Sequence, residues 1–538
     1  MGGSLERVSS ISRRRGRSPA IAMLGFVAGL LSAALFIPSH RGTGLAAPGG
    51  FVAGTPASGQ PGGASTGPAG GVTAGSVNGP GLSGTPTSSA GVSAGSTGSA
   101  LGPSGPASAG AAGTLASGGN GGATAVGVTA KSIAVGILGG DSSDIEPACP
   151  RCGQGGLATD EATVSGLLAL WQQQGKLPIF GRTLTPLFQS SNDLDPTGAS
   201  QQSACEKLTA AKVFVSVTGT GAEGADACLT TQHHTLLVDA GGGVAVADVR
   251  SAYPLMWEVG DSEENALYNF AFWANQQNLL KGQVLGLYAP ADSSTYGNIQ
   301  EVLNATFVTA LKRLGYHLAV DYAWSGEGQS DDSIAVQKMK TAGVTVVFVL
   351  TGFTEPAGFQ NQAEQLGYRP KYPSPGYGSS SFTDATGDIT WNPTAENGNA
   401  LFATSWWGPW ARRKPATAIG NPAAQECLDA YQNGSHTTLD VYTDDAKILY
   451  ILSECSDLDV IRQALQAAGP NLTQASFIRG IESIHGLQTP LYWSVTFGPG
   501  KPFGSDDWQM AQFNKSRWQP SNDYIDRSGS PQAWFTQF

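Results

Sequence analysis

The sequence predicts an α/β protein, with two doubly wound parallel-sheet lobes preceded by a disordered linker. Three observations carry this. Residues Gln283 to Phe353 alternate strand, helix, strand, helix, strand. A second run of the same kind begins at Lys131. Between Arg41 and Lys131 the chain has no charged residue at all. Strands separated by helices read as parallel, because parallel neighbours need a crossover between them.

The chain opens on a basic flank, Arg13, Arg14, Arg15 and Arg17, before an apolar run from Ala20 to Pro38. That pattern describes a secretory signal, and the run also approaches the length of a membrane span. Gly44-Leu45-Ala46 offers a weak cleavage site. Residues 1–41 therefore read as a signal peptide or as a membrane anchor through 20–38, and both readings stay open. Either one puts the bulk of the chain outside the cytoplasm, cell-surface anchored or secreted.

Residues 42–127 are Gly, Ser, Ala, Thr and Pro with few large apolar groups. Such a stretch buries too little surface to offset chain entropy and is expected to be disordered. As a Gly/Ser coil it would span roughly 50 Å root-mean-square. Gly91-Val92-Ser93-Ala94-Gly95 matches a hydrolase elbow there, but no strand precedes it, so it reads as chance.

The folded part is expected from 128 to 538. Ile133 to Leu138 reads as a buried strand, Ala162 to Gln174 as a helix stopped by Gly175, and Thr183 to Phe188 as the next strand. A helix from Gly198 to Ala211 and strands Val213 to Val217 and Leu236 to Val238 complete the first unit. Glu258 to Asp261 joins it to the second. There, Val284 to Tyr288 forms a strand, and Asp292 to Gly297 a polar turn. Ile299, Val302, Leu303, Phe307, Ala310, Leu311 and Leu314 then take the three-and-four spacing of an amphipathic helix ended by Gly315. Strands His317 to Ala323 and Val344 to Leu350 follow. The rest, Leu401 to Phe538, mixes strands with a long helix from Asp444 through Cys455. The first lobe is expected over about 131–258 and 400–488, the second over about 262–395 and 490–538.

Composition excludes some functions. The net charge is −11, and residues 1–41 carry six Arg against Glu6, so the remainder is more acidic still. That argues against nucleic acid and against adsorption to anionic lipid. The cysteines fall in order as Cys149/Cys152, Cys205/Cys228 and Cys427/Cys455, and neighbour pairing is the simplest connectivity for an exported chain. A Cys205–Cys228 bridge would contribute about 3 kcal/mol on the loop-entropy model. Cys149-Pro150-Arg151-Cys152 reads as a structural bridge, with redox and metal readings behind it. The His residues are scattered, His233-His234 reads as a surface loop, and no metal spacing appears.

Several pieces, in a shared order, resemble the type I periplasmic (solute) binding proteins of the branched-chain amino acid group. Gly175 to Arg182 resembles the family's loop before its second strand. Asn192-Asp193 with Asp195-Pro196 resembles the acidic turn after it, and Lys207-Leu208 and Lys212-Val213 the next helix and strand. Tyr296-Gly297 resembles the tyrosine-glycine turn of the second lobe, and Tyr442 to Ala446 the start of a late helix. The resemblance runs from about Lys131 to about Trp518. It implies two lobes joined by three crossings, with a cleft that closes on a small ligand.

Gly219-Thr220-Gly221-Ala222-Glu223-Gly224 spells a dinucleotide fingerprint, with Asp239 ending the next strand. The compartment, the unit's third place in its lobe and the short helix with Asp226 all weigh against a nucleotide. A solute-binding loop is the leading reading, with a plain turn and a nucleotide loop behind it. Thr218, Gly219 and Thr220, with Ala240 and Gly241 after the next strand, form the expected first-lobe half-site. Bare backbone N–H groups there would suit an anion such as a carboxylate. Asp239 would grip a cation or cap its turn. The expected second-lobe half-site is Tyr296, Phe353 and Tyr377, each with core packing as its alternative. Tyr377 stands where amino-acid binders of the family usually carry a carboxylate. Trp406, Trp407 and Trp410, beside Arg412, Arg413 and Lys414, read as buried between lobes or as a stacking patch.

These readings converge on an exported solute-binding protein, not an enzyme, with no cofactor. It would capture a small polar ligand, an amino acid, an amide or similar, and present it to an ABC importer permease. The alternative is the sensing ectodomain of a membrane-tethered receptor. A nucleotide-dependent extracellular enzyme is a distant third.

Overall fold

The computed structural model describes residues 120–141, 156–192, 198–218, 223–241, 244–292, 299–325, 329–350, 355–375, 400–404, 421–440, 443–505, 507, 509–514 and 517–520. The expectations for the 20–38 run, the 42–119 part of the linker, the Gly91–Gly95 motif, Cys149 and Cys152 lie outside them. So do those for Gly219, Thr220, Tyr296, Phe353, Tyr377 and the Trp406/Trp407/Trp410 patch.

The first sheet has five strands, all parallel, in the order β2-β1-β3-β4-β5. They are β1 (Ser132–Asp141), β2 (Thr183–Asn192), β3 (Val215–Thr218), β4 (Leu236–Asp239) and β5 (Met256–Glu258). Alternation along the strands sorts the side chains onto two faces. Leu236 and Val238 join one apolar cluster with Val135, Ile137 and Val217, whereas Leu237 joins another with Leu138 and Met256. The first cluster packs under α1 (Gly156–Gln173) and three helices from the far end of the chain. The second packs under α2 (Ala199–Ala210), a π turn (Cys228–Gln232) and α3 (Val246–Ala252).

The second lobe repeats the plan. β6 (Leu285–Pro290) lies between β7 (Leu318–Trp324) and β8 (Val346–Val349). A parallel bridge from Val346 to Lys371 continues the sheet into β9 (Tyr372–Pro375), which pairs in parallel with β10 (Ala400–Thr404). β11 (Gln509–Asn514) and β12 (Arg517–Pro520) then add antiparallel. In order of appearance, the five parallel strands are again arranged second, first, third, fourth, fifth. Helix α4 (Glu263–Gln276) and the helical stretch Ile299 to Arg313 cover one face. That stretch is helical at the predicted spacing but passes through a π turn at Asn304–Val308. Helices α5 (Gln329–Thr341) and α6 (Glu355–Gln365) lie on the other face.

The lobe boundaries differ from expectation. Residues 400–404 were expected to open the return to the first lobe, yet β10 pairs with β9 of the second sheet. The return consists of α7 (Pro422–Ser435), α8 (Asp445–Ala468) and α9 (Gln474–Glu482) and runs past 488. The Tyr492 hydroxyl donates to the Ala240 carbonyl at 2.9 Å, and Glu258 N–H donates to the Pro502 carbonyl at 2.9 Å. Backbone bonding, which local periodicity does not reveal, decides both boundaries.

Two crossings are hydrogen-bonded to each other. Phe503 pairs in parallel with Glu258, and the Gly504 N–H donates to the Glu258 carbonyl at 2.9 Å. A Cβ on Gly504 would lie 2.8 Å from the Val259 carbonyl oxygen, so only glycine lets the strands approach this closely.

The expected bridges Cys205–Cys228 and Cys427–Cys455 are both present. The first ties α2 to the π turn and the second ties α7 to α8. Helix α8 runs well beyond Cys455, to Ala468, with buried residues on every side. Among the described residues no helix is long and apolar enough to cross a membrane.

Candidate functional site

In an open parallel sheet the first and third strands carry their crossovers to opposite faces, and the crevice between them is open at the carboxyl ends. Strand order puts this switch point at β1/β3 in the first lobe and at β6/β8 in the second. The chain leaves the first sheet at the carboxyl end of β5 and the second at that of β10. Both carboxyl edges therefore border the crossings.

On the first lobe, the structure brings Thr218, Asp239, Ala240 and Gly241 together. Thr218 pairs with Asp239 in register, and Thr218, Asp239 and Ala240 are buried. The Asp239 Oδ1 accepts the Gly241 N–H at 2.7 Å, so this carboxylate caps its own turn. The same device recurs one strand over. Glu258 Oε1 accepts the Gly260 N–H at 2.7 Å, and Asp261 Oδ1 accepts the Ser262 N–H at 2.9 Å. The Thr218 hydroxyl has no hydrogen-bond partner among the described residues.

On the second lobe, the described residues near the strand ends include two tyrosines paired with carboxylates. Tyr288 donates to Asp332 at 2.7 Å and Tyr322 to Asp331 at 2.9 Å. Asp331 also accepts from the Ser325 hydroxyl at 2.6 Å. Both aspartates lie near the start of α5, where a negative charge meets the positive end of the helix dipole. Asp332 Oδ2 lies 2.4 Å from where a Cβ on Gly358 would sit, so α6 approaches it closely.

Sequence reasoning missed the acidic side chains behind the first-lobe strand ends. Asp160, on α1, lies over β1, and its Oδ2 lies 1.8 Å from where a Cβ on Gly139 would be. Glycine at 139 makes the space that Asp160 fills. Burial and then Glu161 push the Asp160 carboxyl up to about 7. Glu454 on α8 lies behind it. Burial first, then the Asp160 charge, raises its carboxyl well above the usual range, against a hydrogen bond from Thr163. One turn on, Asp457 is raised by burial and then by Asp239, Glu258 and Glu454. The Tyr492 phenol is raised by burial and then by Glu258, Asp239, Asp457 and Asp261. Glu454, Asp457 and the Tyr492 phenol keep their protons at neutral pH, because a further buried negative charge has nothing to offset its desolvation, whereas Asp160 shares its proton there. The available signal was Glu454 and Asp457 interrupting the apolar run Ile448 to Ile461.

Among the described residues, the set of metal-ligand types that converges is Cys205, Cys228 and His233. The two sulfurs are bonded to each other and are not thiolates, and His233 contacts Glu206 at 3.2 Å. An open groove of about 630 Å³ runs along β7 and α5, past Val320, Asp321 and Lys338. It lies on the outer edge of the second lobe, away from the strand ends.

No family model matches the sequence, and no curated protein does. Solved structures match in fold. A leucine-, isoleucine-, valine-, threonine- and alanine-binding protein from Brucella ovis, in its closed conformation, is 14% identical with a TM-score of 0.53. The match covers 74% of this chain and 96% of that one. An ABC-transporter solute-binding protein from R. palustris, in complex with 4-hydroxybenzoate, is 14% identical with a TM-score of 0.51, covering 74% and 97%. A type 1 periplasmic binding protein from Bordetella pertussis Tohama I is 13% identical with a TM-score of 0.51, covering 72% and 100%. The fold is that of the type I periplasmic binding proteins.

Proposed function

We propose that this chain is an extracytoplasmic solute-binding protein that captures one small polar molecule between its lobes for an ABC importer. The observation that carries the reading is the repeated strand order, which gives each lobe its own switch point bordering shared crossings. A ligand that touches both lobes only when they close would shift the population toward the closed form, which is what a membrane partner recognises. Disulfides in both halves of the first lobe support an oxidising compartment. The half-sites proposed are Thr218 to Thr220 with Asp239 to Gly241 on the first lobe, and Tyr296, Phe353 and Tyr377 on the second. The sensing-ectodomain reading draws on one observation, the basic-flanked apolar run at 20–38, which would hold the protein at the membrane if uncleaved.

The test is a thermal-shift screen of the full chain against amino acids, amides, amines and aromatic acids, followed by calorimetry on each hit. One solute per chain is expected. Removing the Tyr296 ring by Tyr296→Ala should weaken binding by about 1–3 kcal/mol, as for a buried aromatic contact. Unchanged affinity with unchanged melting would move the site elsewhere.

A further inference from the structure

The described residues at the first-lobe strand ends differ from what a carboxylate needs. Three backbone N–H groups there, those of Gly241, Gly260 and Ser262, already donate to carboxylates of the chain itself. An anion arriving at these amides would have to displace Asp239, Glu258 or Asp261. The surrounding segments 139–141, 156–164, 216–218, 239–241, 258–264, 454–457 and 489–493 contain no Lys, Arg or His. Acceptors, by contrast, stand ready. Asp160 Oδ2, Glu454 Oε1, Asp457 Oδ1 and Thr218 Oγ1 have no hydrogen-bond partner among the described residues. Glu454, Asp457 and Thr218 are 8%, 1% and 0% exposed, so solvent does not serve them. Asp160 is half-buried, on the first crossover helix of the sheet, over β1 and so beside the switch point.

We infer that the first-lobe half of the cleft receives a cationic nitrogen group of the ligand, an ammonium or its alkylated relatives, and that Asp160 meets it. This rests on the solute-capture reading and names the ligand class. It replaces the expectation that bare backbone amides at Ala240 and Gly241 hold a carboxylate. A cation supplies what the described residues of the site lack, positive charge beside a row of acids and N–H or C–H donors to empty oxygens. Asp160 faces Glu161 on its own helix and Glu454 from α8. Behind them Asp457 faces Asp239, Glu258 and Glu454. With its proton leaving near pH 7, Asp160 is ionised in about one molecule in ten at pH 6 and nine in ten at pH 8. Cation binding should tighten roughly tenfold across that interval and expel a proton below it.

The experiment uses the full chain, with putrescine, agmatine and choline as cations, acetamide as the neutral probe, and 4-hydroxybenzoate as the anion. Calorimetry is run at pH 6 and pH 8 in two buffers of different ionisation heat. At least one cation should bind, about tenfold tighter at pH 8, with proton release at pH 6. Asp160→Asn, which mimics the protonated acid, should abolish the pH dependence and most of the affinity. Glu454→Gln should retain both in part. No response to any cation overturns the inference, as does cation binding indifferent to Asp160→Asn. Binding of acetamide or 4-hydroxybenzoate alone would overturn the ligand class yet leave solute capture standing. Silence across the whole panel would count against both.

Discussion

Asp160 makes the stability of the protein depend on pH in an unusual direction. Most folded-state carboxylates are stabilised as anions, so proteins lose stability in acid. Asp160 is held up at about 7, against 3.8 for a free side chain, mainly by burial. Below about pH 4 both folded and unfolded states hold its proton. Between about 4 and 7 the folded state holds a proton that the unfolded state has lost, so stability falls as pH rises. Above 7 the loss is complete. Three pH units at about 1.4 kcal/mol each set a ceiling of roughly 4 kcal/mol. Asp160 keeps some solvent contact, which screens its charge, so about 1–3 kcal/mol is expected. Asp160→Asn should therefore match the wild type at pH 4 and exceed it by that amount at pH 8. Urea unfolding followed by tryptophan fluorescence at the two pH values measures this. Glu454 and Asp457 add a slope of the same sign, so a residual fall in the variant is expected. Parallel curves for the two proteins would refute the argument, because they would mean that Asp160 ionises normally in the fold.

Three other perturbations test the packing. Replacing Cys205 and Cys228 together by Ser opens a loop of sequence separation 23 and should cost about 3 kcal/mol in denaturant unfolding. In Gly166→Ala the new Cβ would lie 2.1 Å from the Ala430 carbonyl oxygen where α1 crosses α7, so about 1–3 kcal/mol should be lost in the same assay. Arg182, 1% exposed, donates to the carbonyls of Thr129 and Pro470 at 2.8 Å, of Gly122 at 2.9 Å, and of Asn120. Arg182→Ala would strand these acceptors, lower stability by about 2–4 kcal/mol, and speed hydrogen exchange at residues 120–134.

Much of the architecture could be read along the chain, because it is encoded locally. Apolar runs of strand length alternate with helical spacing over 131–239 and 283–350, and the joint at Glu258 to Asp261 lies where two such runs meet. The nearest-neighbour cysteine pairs that the structure describes also bond as their spacing suggested. What failed was non-local. Residues 400–404 carry a strand pattern that does not say which sheet they join, and only pairing with β9 decides it. Residues 490–505 have little periodicity, and their place on the first lobe comes from single bonds to Ala240, Gly260 and the Glu258 backbone. The acidic array was the hardest to see. Asp160, Asp239, Glu258 and the Glu454/Asp457 pair come from four segments up to hundreds of residues apart, and nothing within any one segment says that they meet. The Gly219–Gly224 fingerprint is the opposite kind of signal, a local motif with a known chemistry whose meaning depends on the sheet around it.

The central claim is that two lobes close on one solute. Its most direct test is the distance between them with and without a bound molecule. Dyes placed at exposed Ser203 on α2 and exposed Glu301 on the second lobe report that distance by single-molecule energy transfer. A solute found by screening should shorten it, with one molecule bound per chain and half-closure at the calorimetric dissociation constant. A solute that binds with the distance unchanged would contradict the account.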